Sequence, residues 1–122
     1  MMLKKPIYWR SQDYLDFIDS KPCEVSGEPS THHHENLGMG GTSIKAPDSH
    51  CISLAPRLHI PGVHAEPKTF WIKHGLNPIK IIKCNIVEFI VLKGLDIPEC
   101  AYFEPSIDTI KLLTEFLNEK GL

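Results

Sequence analysis

The chain has 122 residues, 42% of them hydrophobic, with a formal net charge of −2. That suits one domain with a single modest core, and it excludes indiscriminate coating of DNA, because phosphate binding depends on lysine and arginine. The longest apolar run, IIKCNIVEFIVL at 81–92, is too short and too interrupted by charge to cross a bilayer, and the basic start MMLKKP lacks the apolar stretch of a signal peptide.

The expectation is therefore one domain over residues 1–122, cytoplasmic and away from membranes. Cys23, Cys51, Cys84 and Cys100 lie far apart with no C-x-x-C pair, so they are expected as reduced thiols rather than a disulfide framework. Charge is unevenly spread: residues 43–83 hold six basic side chains against Asp48 and Glu66, while 96–122 hold six acids against Lys111 and Lys120. The basic middle can meet phosphates; the acidic C-terminal region suits a protein partner instead.

In chain order, Ser11 caps a short helix, QDYLDFIDS, whose Tyr14, Leu15, Phe17 and Ile18 form an apolar stripe before Lys21-Pro22. CEVSGEPS reads as a turn with Gly27 available for positive φ. THHH at 31–34 reads as a strand, and Asn36 to Ser49, with Gly38, Gly40 and Gly41 followed by Pro47, reads as a long irregular glycine-rich loop. The run Cys51-Ile52-Ser53-Leu54 suits a second strand pairing back on THHH.

Pro61-Gly62 limits any helix over Arg57–Ile60 to a brief turn. KTFWIKH follows as a short helix closed by Gly75. In IKIIKCNIVEFIVLK, five isoleucines and two valines at 79–92 favour strand, but the length and the flanking Asn77-Pro78 and Lys93-Gly94 favour a buried helix, which is the expectation here. Ser106 caps a last amphipathic helix, IDTIKLLTEFLNEK.

Six of the seven histidines fall between His32 and His64. A metal that activates phosphodiester cleavage needs neutral imidazoles or carboxylates, an open coordination position and a nearby base. Neighbouring strand residues face opposite sides, so in His33-His34 one ring can bind metal while the other acts on water, and His59 with His64 can complete the ligand set. Bland readings stand beside this: the histidine triplet can be a solvent-facing run, His50 and His74 read as surface or helix-end residues, and Phe70 and Trp71 read as core.

The order of these pieces, YLDFIDSKPC, a histidine pair, GMGG followed by Lys45 and Asp48, an apolar strand, two late histidines and FWIKHG with Asn77-Pro78, resembles the HNH nucleases with a ββα-metal core, specifically the phage recombination-enhancement type. The resemblance covers about residues 10–78, leaving 79–122 as a helical C-terminal extension. It implies an α+β fold, a ββα-metal hairpin with a long glycine-rich loop between flanking helices.

It also implies an endonuclease that hydrolyses nucleic acid, DNA in the first instance, with one divalent ion, Mg²⁺, Mn²⁺ or Zn²⁺. Carried over by position, His33, His59 and His64 bind the metal and His34 is the general base. An alternative register makes His32 the ligand and His33 the base. Lys45, Arg57 and Lys68 are candidate phosphate contacts, and Asp48 joins Lys45 as a candidate substrate contact or support for the loop.

Relatives often hold a structural zinc on two cysteine-rich knuckles, but here those positions read Cys23, Ser26, Ala55 and Leu58. A structural zinc is therefore expected to be absent, with apolar packing in its place. That departure keeps a second reading open: a degenerate member without catalysis, acting as a nucleic-acid-binding or protein-interaction module.

Overall fold

The computed structural model describes residues 8–37 and 46–122. The chain is α+β, with helices packed around a two-stranded antiparallel sheet. Helix α1, Gln12–Asp19, starts where the Ser11 hydroxyl accepts the Tyr14 N–H, and it turns Tyr14 and Ile18 wholly inward, four residues apart on one face. Gly27, at φ 74°, makes the turn that returns the chain toward the sheet.

Strands β1 (Thr31–His34) and β2 (Cys51–Leu54) pair with Thr31 opposite Leu54 and His34 opposite Cys51. Most of the glycine-rich loop expected between them, residues 38–45 with Lys45 among them, lies outside the described residues. A 3₁₀ turn at Asp48–His50 leads into β2, every residue of which is buried.

After β2 the helical backbone at Leu58 and His59 stops at Ile60, whose φ of −132° and ψ of 117° are extended, and resumes to reach His64. Pro61-Gly62 limits the first turn as the sequence suggests, but helical backbone resumes beyond it, which the sequence does not signal. Helix α2, Phe70–Lys73, buries Phe70 and Trp71 and gives way to Gly75 at φ 67°.

The ambiguous segment is helix α3, Pro78–Leu92. Asn77 accepts the Ile79 and Lys80 N–H groups, Pro78 occupies the first turn, and Ile82, Ile86, Phe89 and Ile90 bury one face. Propensity for strand yields here to capping and to a helical burial pattern of i, i+4, i+7, i+8. Because α3 packs against β2, α1 and helix α4 (Ile107–Glu119), it is part of the core rather than an appendage.

Helix α4 turns Ile110, Leu113 and Leu117 inward and leaves Leu112 exposed. Among the described residues no helix is long and apolar enough to cross a membrane.

The α4 cap offers a direct check. Ser106 accepts the Thr109 N–H at 3.0 Å, so Ser106→Ala is expected to lower stability by about 1 kcal/mol, read as a shift in urea midpoint at unchanged slope. A wild-type midpoint would show that the cap contributes nothing net.

Candidate metal centre

Strand alternation sorts the histidines. Residues directly opposite in a sheet share a face, so His33 stands with Ile52, while His32 and His34 stand on the other face with Ser53 and Cys51. The rings of His32 and His34 accordingly meet at 5.6 Å. The strand has split the triplet into one ring and a pair.

On the His33 face, β1 meets the kinked segment that follows β2. One nitrogen each of His33, His59 and His64 lies within 4.8 Å of the others. Ring centroids are 4.9 Å apart for His33 and His59, 4.7 Å for His59 and His64, and 5.8 Å for His33 and His64. Burial falls along the set, from buried His33 through half-buried His59 to exposed His64, so the cluster opens to solvent on the His64 side.

This group could hold a metal ion, and the donor set fits one. Its spacing is looser than the roughly 3.4 Å between nitrogens in a closed tetrahedral zinc site with bonds of about 2.1 Å, a gap that rotation of the more exposed rings can close. His33 Nδ1 is buried with no hydrogen-bond partner, which is costly for a polar atom unless something else occupies it. His59 has its pKa lowered from 6.5 to about 4, first by burial and then by the charges of His33, His64, His32 and His34. It therefore stays neutral, and able to ligate, at ordinary pH.

The inner end of the cluster is tied down by two residues the sequence reading missed. His33 Nε2 lies 2.8 Å from Glu35 Oε2, and the Trp71 indole N–H donates to that same oxygen at 2.9 Å. Glu35 lies one residue past the end of β1 and carries no ligand signal in the sequence. Trp71 carries one, an indole donor that needs an acceptor when buried.

On the opposite face, His34 Nε2 lies 2.9 Å from Asp48 Oδ1. Asp48 is buried; it also accepts the Ser11 N–H at 2.8 Å and sits 3.6 Å from the Arg10 guanidinium. The carboxylate thus ties the start of α1 to the His34 ring. His32 Nδ1 lies 2.8 Å from Asp19 Oδ1 at the end of α1, so His32 is not among the residues gathered with His59 and His64.

Of the candidate phosphate contacts, Arg57 is held by Glu28 in an exposed ion pair. Lys68 is exposed, at the edge of an open cleft of about 480 Å³ that Glu35, Trp71 and Ile72 also line.

His50 ends the 3₁₀ turn, as its helix-end reading has it, but it does not lie on the surface. It is 2% exposed, and burial lowers its pKa from 6.5 to about 4. The short 3₁₀ turn directs it inward beneath β1, where its carbonyl accepts the Glu35 N–H at 3.1 Å. His74 is exposed at the end of α2, with its ring 4.6 Å from Phe70.

At the knuckle positions, Cys23 and Ala55 are buried together. Burial opposes ionisation of the Cys23 thiol, but the Ser26 hydroxyl and backbone groups of Ala55, Ser26 and Val25 outweigh it and lower the pKa.

No curated protein and no solved structure matches the chain. One family does match, over residues 1–87, a span that takes in α1, both strands, all three clustered histidines and the first part of α3. On that match, the chain belongs to the family described as "Protein of unknown function (DUF968)".

Proposed function

We propose that the protein is a metal-dependent nuclease of the HNH type, with β1, β2 and the kinked segment serving as its ββα-metal core. The observation that carries this reading is the convergence of His33, His59 and His64 beside a strand neighbour, His34, that a buried carboxylate holds in place. Three imidazoles with an open fourth side suit Zn²⁺ better than Mg²⁺, which prefers oxygen ligands. When bound, the ion supplies Lewis-acid stabilisation of the charge that builds on the phosphate and the leaving oxygen.

The chain's own part is proton transfer and orientation. His34 takes a proton from the water whose oxygen attacks phosphorus, and the bond from phosphorus to the leaving oxygen breaks. Asp48 fixes the His34 ring and stabilises the imidazolium that forms, much as a carboxylate does for any paired catalytic histidine. Among the described residues, exposed Lys68 is the candidate left for a backbone phosphate, since Arg57 is already engaged by Glu28.

One observation favours the non-catalytic reading: His34 stands on the face opposite His33 and its side chain is only 15% exposed. A plasmid-nicking assay with the full chain separates the two. Cleavage is expected with Zn²⁺ or Mn²⁺ and none with excess chelator. No cleavage with any divalent ion, with metal binding retained, would leave the non-catalytic module as the function.

A further inference from the structure

Two groups, Glu35 and Trp71, stand behind His33, and their role rests on the reading of the cluster as a metal site. We propose that Glu35 and Trp71 are positioning residues that fix His33 in one tautomer, so that its Nδ1, and not Nε2, is the metal-binding atom.

Three observations converge on this. Trp71 Nε1 can only donate, and it donates to Glu35 Oε2. The same oxygen lies 2.8 Å from His33 Nε2, and a carboxylate oxygen already accepting one N–H takes a second from the imidazole. With the ring proton on Nε2, the lone pair is on Nδ1, the buried atom that has no partner within the protein. The ring therefore keeps its one unshared donor pair on Nδ1, in the cluster it forms with His59 and His64.

Burial adds an electrostatic reason. Glu35 is 8% exposed, and its two side-chain partners are an imidazole and an indole, neither of which carries a fixed positive charge. A buried carboxylate with only neutral donors is costly. A divalent ion one imidazole away supplies the compensating charge, so carboxylate and ion stabilise each other through the ring. The cleft lined by Glu35, Trp71, Leu37 and Ile79 places this pair close to solvent without exposing it.

The chain's sequence builds the arrangement economically. Glu35 lies one residue past the end of β1, where the chain still turns its carboxylate to the His33 ring, and α2 is a single short helical turn that brings Trp71 against them. Ring centroids of His33 and Trp71 are 6.4 Å apart at an interplanar angle of 36°.

The test titrates Zn²⁺ and Co²⁺ into the full chain and into His33→Ala, Glu35→Gln and Trp71→Phe variants, with thermal melts as the folding control. Glu35→Gln keeps the shape and an acceptor but loses the charge, and is expected to weaken Zn²⁺ binding by about 10–100-fold. Trp71→Phe is expected to weaken it less. Nitrogen-15 spectra of the zinc-loaded wild type are expected to show the His33 proton on Nε2 and the metal on Nδ1.

The inference is overturned if Glu35→Gln binds Zn²⁺ as tightly as wild type while His33→Ala does not, or if the spectra put the metal on Nε2. A wild-type chain that binds neither ion overturns the metal site itself. Should Trp71→Phe fail to fold, the wild-type spectra and Glu35→Gln still decide the matter.

Discussion

His34→Ala is expected to lower nucleic-acid cleavage by about 10²–10⁴-fold, the usual contribution of a positioned general base, while Zn²⁺ affinity stays near wild type. The ring stands on the strand face away from His33, so deleting it removes no ligand. Asp48 keeps two other contacts, the Ser11 N–H and the nearby Arg10 guanidinium, which limits the damage to folding.

His33→Ala supplies the contrast, since it should lose metal binding and cleavage together. Cleavage by His34→Ala at the wild-type rate would remove His34 as the base. Loss of cleavage together with loss of metal would instead mean that His34 supports the site structurally. Comparing rates at saturating metal keeps the two effects apart.

Acid should unfold the protein through His50. This ring is buried, its Nδ1 has no hydrogen-bond partner, and its pKa falls from 6.5 to about 4, chiefly because burial disfavours the charged form. A base whose folded pKa lies below its unfolded value is protonated first in the unfolded chain. The native state therefore keeps its full stability above pH 6.5, loses it progressively as pH falls from 6.5 to 4, and loses no more through this group below that.

A difference of this size corresponds to about 3 kcal/mol across the window. Urea midpoints measured in a chelator between pH 7 and 4 should show the slope, and His50→Leu, which fills similar space without a titrating group, should reduce it. An equally steep slope in that variant would rule out His50 as its source. His59 acts in the same direction and keeps its share of the slope in chelator, so His50→Leu is expected to lessen the slope without abolishing it.

Much of this architecture is legible before any coordinates. Ser11, Asn77 and Ser106 announce helix starts through side chains that accept backbone N–H groups, and each does so in the structure. THHH and CISL pair as their alternation suggests. What escapes is set by tertiary context: His50 turns inward because a 3₁₀ turn between loop and strand redirects it, and that turn has no apolar period to read.

Arg57 looks available for phosphate until Glu28, 29 residues earlier, is found beside it. Glu35 carries no ligand signal in the sequence, because its place beside His33 depends on Trp71, 36 residues later, donating to the same carboxylate oxygen.

The break at Ile60 has a consequence for how such sites are recognised. On an unbroken helix two residues five apart are turned about 140° from one another around the axis, and His59 and His64 would look out on different sides. One extended residue resets that phase and lets both rings face His33. The gathering of the three rings is thereby written in Ile60, Pro61 and Gly62, which contribute no donor atom. Two chains with identical histidines can differ in whether they gather them, and an inventory of metal-binding residues alone would not tell them apart.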